Sequence, residues 1–161
     1  MSLPKDYHVR LFRTQDLNDV VQINLACLPE NYNHSFYLTL YYRFPKTFIV
    51  AASEQKAVGY IMCRMELGFS EIRRFNLVKK GHIVSVAIIP DYRRKGLGTA
   101  ILNKALEGMR EYNVKEGYLE VRVSNQPAID LYTKLGFSTS KKSKNYYKDG
   151  EDAYIMVKEL H

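Results

Sequence analysis

The chain has no tryptophan, only two cysteines and no apolar run approaching 18 residues among its 161. The last absence excludes a membrane-spanning helix, and the polar start Met1-Ser2-Leu3-Pro4-Lys5-Asp6 lacks the apolar region of a signal peptide. A cytoplasmic protein with no membrane partner is expected. Cys27 and Cys63 have no CxxC spacing and sit in apolar segments, which marks them as small buried side chains rather than a disulfide, a metal site or a nucleophile. No metal is expected. No repeat, linker or low-complexity stretch interrupts the sequence, and its length suits one domain, 1–161, with its own core. Two phosphate signatures are also missing. Neither G-x-x-x-x-G-K-[ST] nor G-x-G-x-x-G occurs, so nucleotide triphosphatases and dinucleotide-binding proteins find no support.

What is present is positive charge. The formal net charge is +7, with basic residues at 73–74, 79–80, 93–95 and 141–144, so an anionic partner is expected. A polyphosphate cofactor would use part of it, and proximity to ribosomal RNA or plain solvation would account for the rest. No nucleic-acid-binding motif accompanies the charge, which argues against a specific DNA or RNA reader.

The most informative stretch is Arg93-Arg94-Lys95-Gly96-Leu97-Gly98-Thr99, between the apolar run Ile83–Ile89 and a segment of helical periodicity. Glycines at 96 and 98 permit backbone conformations closed to other residues. A helix start leaves its first amides unpartnered and carries a positive dipole. A phosphate can therefore be held by backbone there, with Arg93, Arg94 and Lys95 adding charge. The alternative is an ordinary strand-to-helix turn with a solvated basic face.

Periodicity and turn residues give the remaining elements. A strand is expected over 7–13, a helix capped by Thr14 through about Ala26, and a second helix over Ser35–Phe44, ended by Pro45. Strands follow over 47–53 and 57–67, then a loop over 68–80, then the most apolar and therefore central strand, Gly81–Ile89. The helix 99–112 places Leu102, Ala105, Leu106, Met109 and Tyr112 on one face. A strand over 118–123 leads into a helix opened by Ser124-Asn125-Gln126-Pro127 and closed by Gly136. Two last strands, near 137–147 and 152–158, meet across Lys148-Asp149-Gly150.

R-x-x-G-x-G after a strand resembles the acyl-coenzyme A pyrophosphate loop of the GNAT acetyltransferase superfamily, and the order β-α-α-β-β-β-α-β-α-β-β matches that fold across nearly the whole chain. The resemblance implies an α/β protein with a mixed, mostly antiparallel sheet of about seven strands and about four helices. Its fourth and fifth strands splay apart to admit acetyl-CoA. The run Val121–Phe137, with Asn125, Ala128 and Tyr132, looks like the second signature by the cofactor. The implied cofactor contacts are these three, the splayed strand at Val84, Val86, Ala87 and Ile88, and Arg93, Arg94, Lys95, Gly96, Leu97, Gly98 and Thr99. Backbone amides near Val86 or Ile88 would polarise the thioester carbonyl.

Three longer segments narrow the match. Leu28-Pro29-Glu30-Asn31-Tyr32, Gly81–Ala87 and Tyr146–Tyr154 resemble the protein N-terminal acetyltransferases, specifically the NatA catalytic subunit and its archaeal single-chain relatives, and more distantly the bacterial RimI enzymes. Protein N-termini are then the substrate. A free α-amine has a pKa of about 7.7–8.0 against about 10.4 for lysine, so deprotonation at pH 7 costs on the order of 1–1.4 and 4.6 kcal/mol respectively. A modest or water-relayed base therefore suffices. The resemblance assigns it to Glu30, His82 and Glu120, where archaeal relatives hold a water between the histidine and the glutamate, and gives Tyr132 the departing thiolate.

A hydrogen-bonded structural histidine, an outward glutamate and a core tyrosine are the plain alternatives for these residues. Leu28, Glu30, Tyr32, Tyr146 and Tyr147 form the implied peptide groove, in which Glu30 disfavours an acidic first residue. A lysine or small-amine acetyltransferase, or a silent acyl-CoA-binding module, are the competing readings on this fold. Eukaryotic relatives work with a large auxiliary subunit and archaeal ones alone. The chain's end directly after its last expected strand leans towards autonomous action.

Overall fold

The computed structural model describes residues 2–161. Its elements run β1 (Tyr7–Leu11), α1 (Leu17–Cys27), α2 (His34–Arg43), β2 (Ile49–Ser53), β3 (Lys56–Phe69), β4 (Leu77–Ile88), α3 (Leu97–Glu111), β5 (Glu116–Arg122), α4 (Gln126–Lys134), β6 (Ser138–Ser143) and β7 (Ala153–Glu159). The seven strands form one sheet in the order β1-β2-β3-β4-β5-β7-β6, antiparallel except for β4 beside β5. β4 is thus central, as its apolar composition requires. Among the described residues, no helix is long and apolar enough to cross a membrane.

Strand alternation sends side chains to two separate cores. Ile49, Ile61, Cys63, Ile83, Leu119 and Val121 face α3 and α4, where Ile101, Leu102, Leu106 and Met109 meet them. Val50, Tyr60, Met62 and Ala87 face α1 and α2, where Val20, Ile23, Tyr37 and Leu40 cover them. Cys63 is fully buried and Cys27 partly so, and both are free thiols.

Boundaries shift by one or two residues at several elements, and three larger differences have a visible cause. Thr14 does not cap α1. Residues 14–16 form a 3-10 turn instead, because the Asp16 carboxylate accepts from the Arg13 amide at 2.8 Å and from both Arg10 terminal nitrogens. The expected loop 68–80 is largely hairpin, with Gly68 opposite Val78 and Phe69 opposite Leu77. Lys80, which reads as loop by charge, is buried here and donates to the Phe69 carbonyl at 3.0 Å. The expected strand 137–147 stops at Ser143, because Asn145 turns with φ 52 and its amide donates to Asp152.

The sheet opens in its middle. β4 and β5 pair only over Lys80–Glu116, Gly81–Gly117 and His82–Tyr118. Beyond that, β4 continues to Ile88 and β5 to Arg122 without meeting. The divergence begins where the β3–β4 register slips, Met62 facing Ser85 and Cys63 facing Ile83, so that Val84 is left over. A bulge of this kind bends and twists its strand, which carries β4 away from β5 and leaves a wedge-shaped crevice.

Candidate active site

One wall of the crevice is the segment between α1 and α2, which a buried polar network fixes to the sheet. Asn24, 1% exposed, donates to the Glu30 carbonyl at 3.0 Å and to the Tyr60 hydroxyl at 3.1 Å, and Tyr60 bonds Ser85 at 2.6 Å. Asn31 closes the set by donating to Asn24 at 2.9 Å. Asn24, Asn31, Tyr60 and Ser85 are each partnered within this set, so the network is rigid rather than costly. It presents Leu28, Pro29, Glu30 and Tyr32 to the crevice.

The opposite wall is β5. Its alternation buries Leu119 and Val121 against α3 and turns Tyr118, Glu120 and Arg122 to the other face. Across the sheet, the paired positions Arg64, His82 and Tyr118 make a lateral row. The His82 ring stacks on Tyr118 with centroids 4.5 Å apart and planes 3° from parallel. His82 Nε2 lies 2.6 Å from Glu120 Oε1, and His82 Nδ1 lies 3.4 Å from Arg64 Nη2. Glu120 lines the crevice and His82 stands behind it. The histidine and glutamate touch directly.

Arg122 joins the two walls. Its guanidinium reaches Glu30 at 3.1 Å, Asp149 at 2.8 Å and Glu151 at 3.0 Å, and lies 4.0 Å from the Tyr147 ring centre. Burial works against its charge, but Glu151, Asp149 and Glu30 outweigh that and push its pKa up. The 144–152 loop is folded by the Tyr147 amide on the Glu151 carbonyl and by Gly150 at φ +91. It delivers Tyr146 and Tyr147 to the rim, in edge-to-face contact at 4.9 Å.

Burial and the neighbouring Glu120 push the Tyr146 hydroxyl up to about 12, and burial with Glu30 and Glu120 raises Tyr32. These phenols stay protonated and donate. The mouth carries the carboxylates of Glu30, Glu120, Asp149 and Glu151 against Arg122, an excess of negative charge suited to a cationic amine.

The floor is β4 at Ile83, Val84, Ser85 and Val86, and the far end holds Asn125 and Tyr132. Asn125 is spent partly on capping α4, accepting from the Ala128 amide at 3.3 Å. Tyr132 is 7% exposed, and burial pushes its hydroxyl up to about 12. Ala87 belongs to the α1–α2 core rather than to the crevice.

Beyond Ile88 the chain turns into α3. Gly96 precedes the helix with φ +83, and Ala100 is the amide that donates back to its carbonyl. The amides of Leu97, Gly98 and Thr99 ahead of it face outward, as at any helix start. A side chain at 98 would meet Leu131 of α4 at 3.3 Å, so glycine allows the loop to seat against the helix that carries Tyr132. The charged residues divide their duties. Arg93 folds back to the Ile88 carbonyl at 2.8 Å and Lys95 lies over the Tyr7 ring, while Arg94 takes φ 63 in the turn.

Glu30, Glu120, Tyr132, Leu28, Tyr32, Tyr146 and Tyr147 therefore converge on one crevice, with His82 one residue back. Sequence reasoning passed over Arg122 and Arg64. The first had a signal: Glu120 and Arg122 are two apart on a strand and must share a face. Arg64 had none, since only the β3–β4 register sets it against His82.

Residues 17–137 match the acetyltransferase (GNAT) family model. The chain is 48% identical to an N-alpha-acetyltransferase of Sulfurisphaera tokodaii over 97% of this chain and 95% of that protein. It is 36% identical to the catalytic subunit NAA10 of the Arabidopsis thaliana N-terminal acetyltransferase A complex, over 94% and 77%. Among solved structures it resembles Arabidopsis thaliana Naa50 in complex with the bisubstrate analogue CoA-Ac-MVNAL, with TM-score 0.80, 26% identity and coverage of 95% and 98%. With the splayed sheet and its crevice, these likenesses show that the chain belongs to the acetyltransferase (GNAT) family and, within it, to the N-alpha-acetyltransferases.

Proposed function

We propose that the protein transfers the acetyl group of acetyl-CoA to the free α-amine of protein N-termini by direct attack with both substrates bound. The observation that carries this reading is the convergence of Glu30, Glu120 and the tyrosines on a crevice between two parted strands. Acetyl-CoA supplies the thioester carbonyl. The open backbone at Leu97–Thr99 and the αL turn at Gly96 fit a diphosphate, and Val84, Val86, Asn125 and Tyr132 fit the arm leading into the crevice. The residues at the mouth take an extended peptide, Tyr32, Tyr146 and Tyr147 gripping it with rigid, protonated phenols.

Glu120, directly or through one water, takes the proton of the incoming ammonium, and Glu30 orients it from the facing wall. The nitrogen then bonds to the acetyl carbon as the carbon–sulfur bond breaks, and its second proton leaves through Glu120, which has by then passed the first to solvent. Tyr132, kept protonated by burial, gives its proton to the leaving thiolate and regains one from solvent. Holding amine and thioester together supplies much of the remaining acceleration. The negative mouth favours neutral first residues over acidic ones.

The test is acetyl-CoA turnover against peptides beginning with Met, Ser, Ala and Glu, each with a free and a blocked N-terminus. Turnover confined to free termini is expected. Equal acetylation of blocked peptides at an internal lysine would overturn the reading.

A further inference from the structure

The proton acceptor of the crevice is itself held by a chain of contacts that ends on Arg64. A guanidinium has five N–H donors and no acceptor. The imidazole nitrogen facing it, Nδ1 at 3.4 Å from Arg64 Nη2, must therefore offer its lone pair. That leaves the ring's one proton on Nε2, directed at Glu120 Oε1 2.6 Å away. Tyr118 fixes the ring plane by stacking, and its hydroxyl donates to Glu66, which lies beside Arg64 with Oε2 3.8 Å from Nε. The row Arg64–His82–Tyr118 is a direct consequence of strand register, because the three residues are paired neighbours on β3, β4 and β5.

We propose that Arg64 is a positioning residue for the acetyl transfer: it fixes the neutral His82 imidazole in the Nε2–H form, so that Glu120, and not the histidine, receives the amine's proton. The proposal rests on the function given above. A protonated His82 would place a proton on Nδ1 against the guanidinium, so the cation opposes it. A neutral Nδ1–H form would turn a lone pair on Nε2 towards the Glu120 carboxylate, which repels it. The charged and titratable groups around the ring are Arg64 and Glu66 from β3, Lys80 from β4 and Tyr118 and Glu120 from β5. Beyond Glu120 stand Tyr146, Glu30 and Tyr32. Lys80 is committed to the Phe69 carbonyl, Glu71 and the Tyr118 ring. Arg64 alone donates to Nδ1.

Nitrogen-15 NMR of histidine-labelled full-length protein reads the ring protonation directly, with His82→Gln assigning the signal among the four histidines. In the wild type, His82 is expected as the Nε2–H form at pH 7. In Arg64→Met, which leaves Nδ1 without a donor, that ring signature is expected to be lost at pH 7. kcat should fall while the peptide KM changes little, and Arg64→Lys, which keeps a cationic donor, should restore both the ring signature and kcat. An Nδ1–H or imidazolium His82 in the wild type at pH 7 would overturn the proposal without any variant. So would an Arg64→Met protein whose ring spectrum and kcat match the wild type. Wild-type protein that acetylates no peptide overturns the function instead, and the tautomer spectrum separates that failure from this one.

Discussion

Glu120 and His82 share a 2.6 Å hydrogen bond, yet only Glu120 reaches the crevice. The two residues should therefore respond unequally to substitution. Glu120→Gln keeps the shape and removes the proposed proton acceptor, and kcat/KM for a Ser-initiated peptide should fall by about 10²-fold or more. His82→Ala removes one orienting hydrogen bond of about 1.4 kcal/mol, and the fall should be about tenfold. Steady-state kinetics with both variants decides the order. A larger loss in His82→Ala than in Glu120→Gln would transfer the role of base to the histidine.

Arg122 ties Glu30 on one wall to Asp149 and Glu151 on the other. Its loss should loosen the peptide groove more than the fold, since ion pairs at a partly exposed rim add little stability. Arg122→Met is expected to raise the peptide KM and to lower kcat/KM by roughly 10- to 100-fold through misplaced substrate groups. The melting temperature should move by only a degree or two, within the effect of about 0.5 kcal/mol on a domain of this size. Unchanged peptide kinetics would mean that the groove keeps its shape without the guanidinium.

Much of this site is legible in the sequence. The glycine pattern at 96 and 98, the apolar β4 run and the amphipathic α3 face each follow from local chemistry, and all three sit where their residue types require. What local chemistry missed were contacts that depend on register and on charge satisfied at a distance. Lys79 and Lys80 read as loop because charge disfavours a strand. Yet Lys80 is buried with the Phe69 carbonyl, Glu71 and the Tyr118 ring around it. Arg64 acquires its partner only when β3 and β4 align with the bulge at Val84. By sequence Tyr146 and Tyr147 fall at the end of the strand expected near 137–147. They lie on a loop because Asp152 captures the Asn145 amide, a bond between residues seven apart.

Gly96 takes φ +83, a conformation that costs other residues about 1–2 kcal/mol. No atom crowds a Cβ there closer than Leu3 at 3.7 Å, so Gly96→Ala should fold, with stability reduced by about that amount. Gly98 has an ordinary φ but abuts Leu131 at 3.3 Å, so Gly98→Val should displace α4 relative to the loop. Calorimetric titration with CoA should show weaker binding in both variants, and more so in Gly98→Val, whose branched side chain also covers the exposed amides. CoA affinity equal to wild type in both would place the diphosphate elsewhere.

Asp16, 4% exposed, carries a pH-dependent share of stability. Burial raises its pKa, but hydrogen bonds from Arg10 and the Arg13 amide, with their charges, outweigh it and hold the carboxyl below its ordinary value. A depressed folded-state pKa means that the unfolded chain binds the proton first as acid is added. The contribution is therefore complete above the unfolded value of about 3.9 and is lost as pH falls from there through the folded pKa. Asp16→Asn removes it and leaves the partly buried Arg10 without its anion, a loss of about 1–3 kcal/mol at pH 7. Other carboxylates, Glu71 among them, titrate alike in both proteins and cancel in the comparison. Urea unfolding of both proteins at about pH 7, 5.5 and 2.5 should show a gap that is constant between the first two and narrows at the third. A gap of the same size at all three would mean that the Asp16 charge, as distinct from its shape, does not stabilise the first turn of the fold.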